Sequence, residues 1–341
     1  MEPTTGSGPG RVAEAAPITR VIYASESCVA QSVYSTLESI RAAAMRHNVP
    51  LGVHTALLYQ SGWFVQWKEG PGPAVAQVME KVAQDKRHKG LRIVHSSRGP
   101  RLLSGPWSMA IVQAAETPEE MGSRVQALFH ACRSGVQSGP PAVWRQLATP
   151  LRHPGATRQA DPDAFQRILV CSAAGDGAFH LIQWLGSIHQ AEVVRRRVAG
   201  AQSLDVGTDY VDFQEGDRVV RAIAMARNGL EVPLTQAFLA DYAHILLLLS
   251  GDPDRDAALI QRVARACAQL PMSPPLIGVA LDPKSHGPAA TLARRLGMIY
   301  LDATAEADEP YLIWEAVRTF LAVWRDSMRS GVSAPMGLAR S

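Results

Sequence analysis

Trp63-Phe64-Val65-Gln66-Trp67-Lys68-Glu69-Gly70 reads as a β-strand with a carboxamide set in the middle of an apolar run. A buried amide without hydrogen bonds costs roughly 1–3 kcal/mol, so Gln66 needs a partner or a purpose. Before it, Val53 to Tyr59 is a second strand-like run, and Gln60-Ser61-Gly62 has the composition of a hairpin turn. Farther out, Arg20-Val21-Ile22-Tyr23-Ala24-Ser25 is a strand of central type in which the phenol of Tyr23 must also find a partner if buried. Ser32 to Asn48 spaces Val33, Leu37, Ile40 and Ala44 along one helical face, and Ala74 to Asp85 does the same with Val75, Val78, Met79 and Val82. Leu91 to His95 and Trp107 to Val112 complete the set as strands. This order predicts an α+β N-terminal domain, ferredoxin-like, with a five-stranded sheet and two helices on one face.

The remainder divides by texture. Thr117-Pro118-Glu119-Glu120 is a capped helix start that carries the first domain to residue 133. Residues 134–163 are Pro, Gly, Ser and Arg without a period and read as a linker; residues 1–16 read as a flexible N-terminus and 329–341 as a disordered tail. Over 164–328, strand-like runs at Arg167 to Cys171, Asp209 to Gln214, Arg218 to Ala226, Tyr242 to Ser250, Leu276 to Leu281 and Met298 to Asp302 alternate with helical stretches. That alternation predicts an α/β three-layer domain with a mainly parallel sheet. A turn is expected at Glu215-Gly216-Asp217. The triplet Arg195-Arg196-Arg197 reads as a solvated helix face.

Bulk properties exclude more than they select. The chain has 341 residues, 47% apolar and 19% charged, with a formal charge of +3. Those values belong to a two-domain globular protein and offer neither a concentrated basic face for nucleic acid nor a membrane span. Cys28, Cys132, Cys171 and Cys267 are scattered without metal-ligand spacing, so free thiols, no metal and a cytoplasmic protein are expected.

Singly, the polar residues of the first domain have plain explanations. Asn48 taken alone is a helix C-cap, and Trp107 and Met109 taken alone are core. As a set, Tyr23, Asn48, Gly62 to Gly70, Asp85-Lys86-Arg87-His88 and Trp107-Ser108-Met109 resemble the BLUF domain, the sensor of blue light using FAD, over residues 17–115. The resemblance implies an FAD cofactor between the two helices and the sheet, with Tyr23, Asn48, Gln66, Arg87 and His88 binding it. It also implies Tyr23 as electron and proton donor, Gln66 bridging Tyr23 and the flavin N5/O4 edge, and Trp107 and Met109 relaying the signal. Three positions depart from the family: His54-Thr55 stands where Thr-Gly is common, Lys68 where Leu is usual, and Ala44 where a polar residue sometimes occurs. The first and last bear on flavin hold and recovery rate, and Lys68 is expected on a partner-facing surface.

In the second half, Ser172 to Phe179 lies where a P-loop would be, and Asp282 where the guanine-reading motif ends, a faint similarity to small Ras-like GTPases. The residues that would hold phosphate and magnesium are Ala178 and Phe179, which fits a degenerate, non-hydrolysing domain. An unrelated Rossmann-like or receiver-like domain is the rival reading. The expectation is a photoreceptor rather than an enzyme, signalling by contact with an unidentified protein or a second copy of the chain. The alternatives are a light-regulated GTPase or ATPase and a non-photoactive interaction module.

Overall fold

The computed structural model describes residues 18–29, 32–136, 138–149, 165–200, 206–216 and 218–329. The expected N-terminal segment 1–16 lies outside these, as does the expected tail but for its first residue. The first half runs β1 (Ile18–Ser27), α1 (Val33–His47), β2 (His54–Gln60), β3 (Trp63–Gly70), α2 (Gly72–Ala83), β4 (His88–Gly99), β5 (Trp107–Gln113), α3 (Pro118–Arg133) and α4 (Pro140–Ala148). The second half runs β6 (Phe165–Ser172), α5 (Gly177–Ile188), β7 (Val193–Gly200), β8 (Val206–Glu215), β9 (Arg218–Met225), a short helical turn α6 (Pro233–Gln236) and β10 (His244–Leu248). It closes with α7 (Pro253–Cys267), β11 (Leu276–Ala280), α8 (His286–Arg295), β12 (Tyr300–Thr304) and α9 (Pro310–Arg329).

Local chemistry accounts for several boundaries. The β2–β3 turn places both Ser61 (φ 48°) and Gly62 (φ 76°) in the left-handed region, as a two-residue hairpin requires. At α3 the Glu120 amide donates to Thr117 Oγ1 at 3.2 Å and the Thr117 amide donates to Glu120 Oε2 at 2.8 Å, so two otherwise orphaned donors are satisfied. The β8–β9 hairpin turns through Gly216 (φ 63°), where the turn was expected.

The two separate sheets expected from the sequence are one. Twelve strands pair in the order β12-β11-β10-β6-β9-β8-β7-β5-β2-β3-β1-β4. The halves join where β5 pairs antiparallel with β7, Met109 opposite Ala199 and Val112 opposite Arg196. In the first half β2 and β5 pair parallel; in the second, β9-β6-β10-β11-β12 is parallel while β7, β8 and β9 form an antiparallel meander. Short connections permit only antiparallel neighbours there.

Helices cover both faces of the sheet rather than one face of the first domain. Helices α1, α2, α5 and α9 lie on one side; α3, α4, α7 and α8 lie on the other, over a single apolar layer that runs from Ile22 and Trp67 to Leu247 and Leu276. The expected linker 134–163 contains α4, whose Trp144 packs on Trp67 at 6.0 Å between ring centroids. Its Pro-Pro start and short length hid a helix whose apolar face is specified by this packing. The arginine triplet lies in β7, not on a helix. Period two then sends Arg195 and Arg197 to one face and Arg196 to the other, where it meets the ring of Tyr210. Among the described residues no helix is long and apolar enough to cross a membrane, and the four cysteines are free thiols.

Candidate functional site

The site is built on β1 and β3. They pair antiparallel with Tyr23 directly opposite Gln66, which puts the phenol and the carboxamide side by side on one face of the sheet. Alternation along β3 sends Phe64, Gln66 and Lys68 to this face and Trp63, Val65 and Trp67 to the other. Ile40 and Ala44 of α1 and Val78 and Val82 of α2 form the opposite wall. Between them lies a cleft with apolar walls and a few convergent polar groups, the kind of concave site that holds small-molecule cofactors.

Each residue proposed from the sequence can be placed. Tyr23, Asn48, Gln66, Arg87, His88 and Trp107 all line the cleft. Asn48 does close α1, its amide donating to the Ala44 carbonyl at 2.8 Å, while its own carbonyl accepts from Leu51 and Val53. Its backbone is therefore fixed from both sides and its side chain is left to the cleft. Arg87 is locked on Asp85, with Nε donating to Oδ1 at 2.9 Å and Nη2 to Oδ2 at 2.5 Å. Met109 is not in the cleft. It is buried farther along β5, in the cluster with Leu37, Phe64, Trp107 and Ala199 of β7.

Lys68 corrects an expectation. It is 2% exposed and lines the cleft, so it is not on a partner-facing surface. Strand parity with Gln66 was the signal that placed it. His47 and Lys81, which the sequence did not single out, also border the cleft.

The electrostatics favour neutral hydrogen-bonding groups around one ion pair. Burial pushes the Tyr23 phenol well above its ordinary pKa; Asp85 adds to this and Arg87 opposes it. The hydrogen bond from Arg87 holds the Asp85 carboxyl below the usual carboxylate range. Burial lowers His88 against the pull of Asp85, leaving a neutral imidazole. Burial alone brings Lys68 down to about 7.

A depressed lysine pKa has a definite sign. Below pH 7 Lys68 is charged in the folded and unfolded chain alike, and the folded chain carries the full burial penalty. Between about 7 and 10.5 the unfolded chain binds the extra proton, so stability of the flavin-free protein rises with pH across that window. Lys68→Leu should stabilise the flavin-free chain by roughly 3 kcal/mol at pH 6 and flatten the rise above pH 7. Urea unfolding of both proteins at pH 6 and pH 9 measures this; equal stabilities at pH 6 contradict it.

Three polar atoms facing this region are buried without a hydrogen-bond partner: Tyr23 Oη, His88 Nδ1 and Trp107 Nε1. Such atoms are rare in folded proteins and call for an explanation. A planar heterocycle with carbonyl and ring-nitrogen edges would supply partners, and the apolar walls of α1 and α2 would cover its faces. Residues 18–110 match the family described as BLUF, sensors of blue-light using FAD. They are a BLUF domain.

BLUF domains bind FAD, and the side chains of this cleft fit that group. Over 59 residues the chain is 41% identical to photoactivated adenylate cyclase subunit beta of Euglena longa, a stretch making up 17% of this chain and 7% of that protein. Over 53 residues it is 47% identical to photoactivated adenylate cyclase subunit alpha of Euglena gracilis, 16% of this chain and 5% of that one. The chain thus spans less than a tenth of the length of either relative. Among solved structures, BlrB, a BLUF protein in its dark state, is 23% identical over 40% of this chain and 98% of its own, with a TM-score of 0.27.

Proposed function

We propose that this chain is a blue-light photoreceptor in which light resets the hydrogen bonds between Tyr23, Gln66 and a bound FAD, and that the change is read out by protein contact through the second half. The observation that carries this reading is the cross-strand pairing of Tyr23 with Gln66 inside a cleft that Asn48, Arg87, His88 and Trp107 complete.

Bound flavin would supply blue-light absorption and an excited state able to accept an electron. Tyr23 would be the donor: its burial keeps the phenol protonated, so the side chain has a proton as well as an electron to give. Gln66 is the switch, because an amide carries a donor at one end and an acceptor at the other, and its rotation inverts the local pattern without moving charge. Asn48 holds the cofactor's polar edge from a fixed helix end. Arg87, anchored by Asp85, is a fixed donor, and neutral His88 sits 6.5 Å from the Tyr23 ring between centroids.

The route outward is short. Strand β3 is tied to the segment leading into β5, since Glu69 Oε2 accepts from the amides of Leu102 and Leu103 at 2.7 and 2.9 Å. Trp107 faces the cleft from β5, and two residues on, Met109 packs on Ala199 of β7. A shift of β5 would thereby reach the second half through a continuous ladder.

We read that half as a degenerate GTPase-like domain. Its strand-to-helix loop keeps Gly175 at φ 62°, but the amides at the helix start are already engaged: Ala178 donates to Ser172 Oγ at 2.9 Å and Phe179 to the Asp176 carbonyl at 2.8 Å. Asp282 caps the turn that follows it, accepting from the Lys284 amide at 2.9 Å. Donors spent internally are not offered to phosphate. The full chain purified after incubation with FAD should retain one flavin per chain, and it should show no magnesium-dependent binding of GTP or ATP by calorimetry. A colourless protein ends the photoreceptor reading; micromolar nucleotide binding ends the degenerate one and favours a light-regulated nucleotide-binding protein.

A further inference from the structure

On the sheet face opposite the flavin cleft, α4 and the segment 227–241 cover a second, partly open cavity that spans the junction of the two halves. Its walls are largely apolar, with Val112, Ile223, Met225 and Phe238 among them, yet four guanidinium groups enter it: Arg145 from α4, Arg167 from β6, Arg196 from β7 and Arg221 from β9. Two carboxylates answer them. Asp212 holds Arg221 through two bonds of 2.6 Å, and Asp241 holds Arg145.

Among the described residues Arg196 has no such counter-ion. It lies over the Tyr210 ring, 4.1 Å from guanidinium carbon to centroid, and its Nε and Nη2 are shut off from solvent with no hydrogen-bond acceptor. Thr208 Oγ1 lines the same space and is likewise buried without a partner among the described residues. Burial, reinforced by repulsion from Arg145 and Arg221, brings Arg167 down to about 10. Like charges gathered in a partly closed, largely apolar cavity repel one another and are poorly solvated. Retention of this cluster is accounted for by an anion that neutralises it. The planar fork of an arginine is matched by the paired oxygens of phosphate, sulfonate or carboxylate. The room beside that fork is lined with apolar side chains, so the anionic group would be carried on an apolar body.

We propose that this cavity binds a small molecule with an apolar body and one anionic group, anchored by Arg196 and flanked by Arg167, Arg221 and Thr208. The site does not depend on the flavin reading. It does lie one strand from the sensor, Arg196 standing opposite Val112 of β5.

The test uses the full FAD-treated chain and two probes that share their rings: 8-anilinonaphthalene-1-sulfonate, and N-phenyl-1-naphthylamine, which lacks the sulfonate. Calorimetry should show the sulfonate binding at one site per chain and the neutral probe at least about tenfold more weakly. Arg196→Met should weaken the sulfonate at least about tenfold and leave the neutral probe unchanged. Arg167→Met serves the same comparison if Arg196→Met fails to show native near-ultraviolet circular dichroism. Equal affinity for the two probes, or sulfonate binding undiminished in a folded arginine variant, overturns the proposal.

Discussion

Gln66→Leu should bind FAD and show no light-induced red shift. Leucine fills nearly the volume of the amide, and the strand around it is apolar on both sides, so folding and the cleft survive. Replacing a polar group by an apolar one of the same shape is close to neutral for stability when its hydrogen bonds vanish with it. What is lost is the only side chain next to Tyr23 on β3 that can both donate and accept. Without it the hydrogen-bond pattern at the flavin edge has nothing to invert. The measurement is a light-minus-dark absorption difference on flavin-loaded variant and wild type; a shift of wild-type size in Gln66→Leu removes Gln66 from the switch.

Tyr23→Phe should still bind flavin, held by the remaining cleft residues, and fail to form the long-lived signalling state. In the flavin-free fold the Tyr23 hydroxyl is buried without a partner, so its removal takes away no protein hydrogen bond and unfolding stability should change by less than about 1 kcal/mol. The phenol is nevertheless the proposed source of the electron and proton. Loss of the photoproduct together with unchanged stability separates a photochemical role from a structural one. Transient absorption after a blue pulse reads the first, and urea unfolding reads the second. Accumulation of the lit state at wild-type yield would show that another group is the donor.

Local signals carried the sensor half of this chain well. The carboxamide at Gln66 within a run of tryptophan, phenylalanine and valine, and the phenol at Tyr23 within another, are conflicts between residue type and environment, and such conflicts concentrate at functional sites. The hairpins at residues 61–62 and 216 and the capping box at Thr117 announced themselves through turn and cap chemistry that needs only neighbours.

Features set by distant partners were harder to read. Pairing of β5 with β7 joins residues about ninety apart, and no local pattern in either strand names the other. Helix α4 is short and opens on two prolines, and its apolar face has meaning only once Trp67 is known to lie beneath Trp144. Lys68 and Arg196 share one cause. A charge in a sequence suggests solvent, yet period two in a strand places every second residue on the same face whatever its charge. Counting from Gln66 puts Lys68 in the cleft, and counting from Val194 and Val198 puts Arg196 in the second cavity.

On this reading Tyr23 and Gln66, paired across β1 and β3, touch a flavin and change their hydrogen bonds to it under blue light. An absorption spectrum of the full chain loaded with FAD, recorded in the dark, after blue illumination and again after dark recovery, tests this directly. A flavin spectrum that moves to longer wavelength in the light and returns in the dark is the predicted result. A bound flavin whose spectrum stays fixed under illumination, or bleaches without return, contradicts it.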